Sequence, residues 1–371
     1  MKIGLKNIMV LLALLLGGSS CDSFLDVQPK GEVLEGDLLK DAKGFENALY
    51  GVYAKMGATN LYGQNLSYSA LDLMAQYYTS TNNEEVEPLI KYDYKNTKAE
   101  DLFYNIWCDM YSNIAYANNV LEHLDKFSPS DMQFYNIYKG EALGLRAFMH
   151  FDLLRIFSEQ ITENESADGI PYSTRFSLFA PDILKSKDVY KRIISDLRSA
   201  EQLLDDEELY ASVSSNANFL KDQNIHFNLQ AVQATLARVY LTEGTLDSAL
   251  YYAQQVIQAP GLSLLDYTDI AGDLAGKLSS KETVFGIYSK NFAEPVIKIL
   301  HNSQSAYSFE MRYNIQQLYQ IDGAGNDYRW GAWYTYNNTG KYWKLDKLTD
   351  TYVLNNTEYN RPAGEIRGIN M

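Results

Sequence analysis

Residues 228–261 read NLQAVQATLARVYLTEGTLDSALYYAQQVIQAPG, and this stretch decides the fold. Leu229, Val232, Leu236, Val239 and Tyr240 recur at three- and four-residue spacing, so they share one face of a helix. Gly244 then turns the chain. A second helix carries Leu246, Ala249, Leu250, Ala253, Val256 and Ile257, and Pro260 closes it. A single pair of this kind cannot bury its own apolar face, so neighbours of similar build must exist.

The neighbours lie upstream. Phe103, Trp107, Met110, Ile114, Ala117, Leu121 and Leu124 repeat at helical spacing and make a long amphipathic helix. Trp107 falls on that stripe and is assigned to the core, and Cys108 beside it is read as packed and inert. The next helix, residues 135–157, is apolar nearly all round and should sit in the middle of the stack. Within it Arg146 and His150, and Asp152 and Arg155, are spaced for internal ion pairs and hydrogen bonds. Val189, Ile193, Leu197, Ala200 and Leu204 mark a third helix over residues 187–204. Periodic segments begin near Gly44, after a polar lead-in over residues 21–43. The helix-turn-helix unit with small residues at its crossing resembles a tetratricopeptide repeat of about 34 residues. The expectation is therefore a mainly α fold of such repeats, with loop-rich insertions and a few short strands.

Downstream of Pro260 the texture changes. Residues 282–288 (ETVFGIY) read as a short strand and residues 309–321 as helix. Residues 326–343 are aromatic, with a hairpin turn expected at residues 337–340 (NNTG). Residues 59–100 and 289–307 lack clear periodicity, and loops of that length inside a compact domain are usually functional.

The N-terminus reads as an export signal. Lys2 and Lys6 are the only charges in residues 1–20, an apolar run follows over residues 8–16, and residues 17–20 are small. Cys21 comes next, at the lipid-acceptor position of a bacterial lipoprotein. The apolar run is shorter than the roughly 20 residues a membrane-spanning helix needs, so acyl chains on Cys21 would be the anchor. With Cys21 acylated, Cys108 has no partner within the chain, and the fold stands on its core without disulfides.

The net charge of -15 repels phosphate backbones and excludes nucleic acid as a partner. The histidines, at 123, 150, 226 and 301, include no pair at metal-ligand spacing, and no cofactor is implied. Residues 272–277 (GDLAGK) mimic a phosphate loop, but three residues rather than four separate the glycines and Leu278 stands where Ser or Thr should hold magnesium. Residues 322–327 (DGAGND) place Asp and Asn oxygens around glycines, yet no later Glu is spaced to finish a calcium shell, so they read as a turn. No nucleophile elbow or marked carboxylate pair is present, so an enzyme is not expected.

Several stretches, in order, resemble the SusD/RagB family of outer-membrane nutrient-binding lipoproteins. Residues 21–29 (CDSFLDVQP) are similar to its lipidated start, and Trp107, Tyr111, Ile114, Asn118 and Asn119 to its early repeat helix. Residues 140–148 (GEALGLRAF) and 151–155 (FDLLR) resemble its most recognisable helix, and residues 236–241 (LARVYL) the next repeat. Residues 282–285 (ETVF) and 327–329 (DYR) resemble later landmarks. The departure is at the end: residues 364–371 (GEIRGINM) look like the start of a closing segment, and the sequence is read as truncated there, the helical-repeat domain covering residues 44–371.

The resemblance implies a lipid-anchored protein on the outer face of the outer membrane, sitting on a TonB-dependent, SusC-like transporter barrel and handing it oligosaccharide. Two alternatives remain at this stage: a peptide-binding relative, and a surface scaffold whose repeats hold another protein. A sugar ring needs an aromatic plate and a few donors and acceptors. One candidate cluster is Tyr62, Tyr68, Tyr77 and Tyr78 with Asp72 and Asn82; the other is Tyr328, Trp330, Trp333, Tyr334 and Tyr336, with Phe292 and Tyr307 on the loop before it. From these, Asp72, Tyr77, Tyr78, Phe292, Tyr307, Trp330 and Trp333 are the expected ligand contacts.

Overall fold

The computed structural model describes residues 38–80, 83–205, 218–266, 281–288, 293–300, 309–311, 327–338, 342–345, 351–354 and 357–360, with 268, 269, 317 and 319. Cys21, Asn82, Phe292, Tyr307 and residues 272–277 and 322–326 lie outside them.

Helix α1 (Ala42–Met56) starts where the Asp41 carboxylate accepts the Gly44 N–H at 2.9 Å, satisfying one of the donors a helix start leaves open. The segment after it holds α2 (Ala70–Met74), strand β1 (Tyr78–Ser80) and α3 (Glu87–Ile90). Asn96 caps α4 (Thr97–Leu124) by accepting from the Lys98 N–H. Helix α5 (Tyr135–Phe157) is buried at every residue from 140 to 154. That is the position its all-round apolar sequence requires. A small antiparallel pair, β2 (Asp168–Pro171) and β3 (Ile183–Lys185), leads into α6 (Ser186–Leu204).

The pair α7 (Leu229–Glu243) and α8 (Leu246–Ile257) turns at Gly244, whose φ of 92° suits glycine. α5 packs against α4 and α6, α6 against α7, α7 against α8, and α1 against α4 and α5. One core runs through all of them except α8's outer face. Close approach explains the small residues: a Cβ on Gly144 would lie 2.5 Å from the Phe227 ring. The protein is mainly α, as expected.

The charged groups in this core are paired, while the buried amide oxygens of Asn113 and Asn119 on α4 accept no hydrogen bond among the described residues. Arg146 grips Asp196 through two nitrogens at 2.7 and 2.8 Å and donates to the Asn118 side chain, while the Tyr172 hydroxyl donates to Asp196. The Asp152–Arg155 pair closes at 3.1 Å. His150 is fully buried; its Nδ1 meets the Arg146 carbonyl at 2.8 Å and its Nε2 accepts the Ser173 N–H at 3.0 Å. Burial lowers the His150 pKa to about 3, so the ring is neutral.

The remaining described elements are short: α9 (Ala293–Leu300), β4 (Phe309–Met311), α10 (Tyr328–Trp333), and the hairpins β5 (Tyr334–Asn337) with β6 (Tyr342–Leu345) and β7 (Thr351–Leu354) with β8 (Thr357–Asn360). β5 and β6 pair antiparallel with Asn337 opposite Tyr342, and Thr339 and Gly340 of the expected turn lie outside the described residues.

Three expectations need correction. Residues 282–288 form no strand; Phe285 and Ile287 are buried in the helical core, and the alternation of apolar residues reflects that burial. Phe309–Met311 is a strand, because β1 supplies a partner more than two hundred residues away. Ala293–Leu300 is a helix, its Val296, Ile299 and Leu300 buried in a second, smaller core. On α8, Leu246, Leu250 and Ile257 are exposed, so the helix buries only part of its apolar side. Among the described residues, no helix is long and apolar enough to cross a membrane.

Candidate functional site

Two chain segments meet at the second core. The antiparallel pairing of β1 with β4 sets Tyr78 opposite Met311. Tyr68, Leu73 and Tyr78 from the first segment pack with Val296, Ile299 and Leu300 of α9, and Met311 and Leu345 close the edge. Tyr68 and Tyr78 of the first aromatic cluster thus share a core with α9, and Asp72 and Tyr78 lie near Tyr334 of the second.

Within it α2 carries Asp72 in its first turn. Gln76, in the left-handed region at φ 63°, turns the chain out of the helix, and its side-chain amide donates to the carbonyls of Leu73 and Ile90. The next two residues then diverge, as side chains of an extended backbone must. Tyr77 is 44% exposed and Tyr78 only 4%. Burial raises the Asp72 pKa to about 7. Asp72 in turn acts on Tyr78 and Tyr334, whose phenols are held far above their ordinary range, chiefly by burial. A carboxyl poised between its two forms can donate a hydrogen bond or accept one.

The other wall is aromatic. Asp327 caps α10 and pairs with Arg329. α10 ends in β5, so Trp330 and Tyr334 lie one helical turn apart and stack with centroids 4.6 Å apart. Trp330 also meets Trp343 at 4.8 Å and Tyr319 at 5.4 Å, and the Tyr319 and Tyr334 hydroxyls are 3.2 Å apart. The Arg329 guanidinium lies over the Tyr319 and Trp333 rings. Tyr336, 42% exposed, rests on Trp343.

Of the expected contacts, Asp72 and Tyr78 lie near Tyr334, on which Trp330 stacks, while Trp333 faces the Arg329 guanidinium. Tyr77 is exposed, Asp72, Trp330 and Trp333 are partly buried, and Tyr78 is core. Tyr62 and Tyr68 are also core, Tyr62 donating to Asp152 at 2.9 Å. Tyr319 and Arg329 escaped the sequence reading. Residues 309–321 were expected to be helix, and nothing local shows that Tyr319 reaches Tyr334. Trp107 meets Phe157 and Tyr111 as a packed ring should, yet it is only partly buried and lines a cavity. Among the described residues no group of His, Cys, Asp and Glu could hold a metal ion.

Comparison with known proteins agrees with the fold. The family described as starch-binding and associating with the outer membrane, a SusD-like family, matches residues 23–241. A SusD-like protein of Formosa agariphila is 26% identical over 233 residues, covering 61% of this chain but 42% of that protein. The chain thus spans less than half of that relative. A SusD superfamily crystal structure from Bacteroides thetaiotaomicron superposes with a TM-score of 0.66 at 22% identity, over 83% of this chain and 70% of the other. A laminarin-binding SusD-like protein gives 0.63 at 18% identity, over 89% and 77%.

Proposed function

The chain belongs to the SusD-like family, and from that premise we propose that it captures an oligosaccharide at the seam between α2–β1 and α10–β6 and passes it to a TonB-dependent transporter barrel. The observation that carries this reading is the convergence of the two segments. It sets Asp72, a carboxyl able to donate or accept, beside the exposed Tyr77 and near Tyr334, on which Trp330 stacks, and Trp330 meets Trp343, on which the exposed Tyr336 rests. A pyranose presents an apolar C–H face to such rings and hydroxyls to such a carboxyl. A chain of net charge -15 favours neutral glycans over anionic ones. The starch of the family description and the laminarin of one structural relative are both neutral glucans.

Delivery needs the protein held at the cell surface. Cys21, behind an export signal, would take the acyl chains that anchor it on the outer face of the outer membrane. The role is binding and hand-over, without chemistry on the glycan. Calorimetric titration of the intact protein with maltoheptaose and with laminarihexaose tests the reading, with a tryptic peptide pool as the alternative ligand. Saturable heat with either saccharide is expected. Binding of peptides with no saccharide response would replace the glycan reading with a peptide-binding one.

A further inference from the structure

A cavity of about 610 Å³ lies on the opposite part of α4, between that helix and residues 171–181. Its size is within the roughly 300–1,000 Å³ of small-ligand sites. Its walls carry the rings of Trp107, Tyr111, Phe176 and Phe179 and the hydroxyls of Ser112 and Ser177. None of its lining residues is charged, in a chain where 21% of residues are.

The loop that forms the outer wall is held in place. The Tyr111 hydroxyl donates to the Pro171 carbonyl at 2.6 Å. Asn118 donates to the carbonyls of Ser173 and Arg175, and the Phe176 N–H donates to Glu122. Beyond these ties Phe179 stands 87% exposed. Exposed apolar groups grouped around a concavity mark interaction sites.

The cavity is also joined to the seam by a row of rings. Tyr92 and Tyr94 are 6.4 Å apart, Tyr94 and Phe103 5.8 Å, Phe103 and Phe157 6.1 Å, Phe157 and Trp107 4.9 Å, and Trp107 and Tyr111 4.8 Å. Phe103 packs on the second core, and Tyr92 and Tyr94 are about half exposed. Phe103, Trp107 and Tyr111 sit four residues apart on one face of α4 and span about 12 Å at the helical rise.

We propose that this cavity is a second carbohydrate subsite, specific for an uncharged sugar ring, and that a long glycan following α4 engages it and the seam together. Flat rings with hydroxyls and no charge match a neutral pyranose, apolar on its face and hydroxylated at its rim. Engaging both places makes the second contact intramolecular, so affinity rises with chain length more steeply than one site allows. The inference rests on the reading that the ligand is a neutral glycan.

The chain has four tryptophans, so W330F/W333F/W343F leaves Trp107 as the sole tryptophan reporter. Its fluorescence is followed in titrations with maltoheptaose and laminarihexaose, alongside calorimetry of the otherwise native chain. A saturable Trp107 change is expected with at least one saccharide. Adding Phe176→Ser and Phe179→Ser, both at exposed positions, should weaken that response roughly tenfold at an unchanged melting temperature. In the native chain the same pair should weaken binding of the heptaose but not of maltose at the seam. A silent Trp107 and an unaffected heptaose affinity, in a protein that still binds saccharide, would overturn the subsite and leave the proposed function standing. Absence of saccharide binding in the intact protein would overturn both.

Discussion

The helical stack and the site seam are built on different principles. In the stack, α4 to α7 are each 15 to 28 residues long; α4, α6 and α7 bury a stripe set by their own period, and α5 is buried all round over residues 140–154. Its buried charges are matched: Arg146 by Asp196 and Asn118, and Glu141 by Tyr53 and His226. At the seam the elements are three to eight residues long and hold one another through aromatic contacts and a two-stranded sheet. At the seam the Asp72 carboxyl has its pKa raised by burial. The charges of the stack are set by their partners, whereas that of Asp72 is set by burial.

The sharpest way to break that contrast is to unpair a charge in the stack. Arg146→Ala leaves Asp196 buried with only the Tyr172 hydroxyl among its former partners. Loss of one member of a buried pair costs about 3–5 kcal/mol. A chemical denaturation midpoint should fall accordingly, while saccharide affinity measured well below the midpoint stays unchanged. An equal loss of affinity would mean that stack and seam are one cooperative unit.

This difference also governs what the sequence reveals. The repeat at residues 228–261, the all-round apolar α5 and the Asp152–Arg155 pair are local patterns, readable because side chains three and four apart on a helix are neighbours, whereas the partner of Arg146, Asp196, lies on another helix. Tyr77, Trp330 and Trp333 could be chosen as aromatic, and the structure sets Trp330 and Trp333 on a short helix, α10, with Trp330 stacked on Tyr334. What could not be read was the partner that makes β1 a strand, since Met311 lies far along the chain and Phe309–Met311 has no strand signal of its own. Nor could alternation tell Tyr77 from Tyr78 until the turn at Gln76 was known. The exposed leucines of α8 show the same limit from the other side. Periodicity names a face but not what covers it.

At the seam itself, Tyr78→Ala removes a ring from the second core and should cost about 3 kcal/mol. The loss should be local. Hydrogen exchange should quicken at β1 and β4 and leave α5 protected. Uniform loss of protection would again argue against two separately stabilised regions.

Two buried titratable groups distinguish the regions by pH. Asp72 titrates near 7 in the folded protein and near 3.8 when unfolded, so between these values the folded state holds a proton the unfolded state has released. Its contribution makes stability fall as pH rises from about 4 to about 7, by on the order of 2–3 kcal/mol after allowance for its partial exposure. His150 works in the other direction. With a folded pKa of about 3 against an ordinary 6.5, it makes stability fall as pH drops below about 6.5. Asp72→Asn should therefore gain stability over the parent most at pH 7 and least at pH 4. A difference that does not vary with pH would show that the Asp72 carboxyl is solvated.

The smallest expected effect separates structure from function most cleanly. Tyr77 and Tyr78 are adjacent and chemically identical, both follow the turn at Gln76, and they differ in that one is exposed and the other buried. If the seam binds sugar through accessible rings, Tyr77→Ala loses a stacking contact worth about 1 kcal/mol, so saccharide affinity falls roughly fivefold. Its melting temperature should stay that of the parent, because a ring 44% exposed contributes little to the core. Tyr77→Phe should keep most of the affinity if the ring face carries the contact, and lose it if the hydroxyl does. Calorimetry with maltoheptaose or laminarihexaose reads the first quantity and a thermal melt the second. Unchanged affinity in Tyr77→Ala would move the ligand away from this edge of the seam, toward Trp330 and Tyr336. A lowered melting temperature would instead make Tyr77 a packing residue like its neighbour.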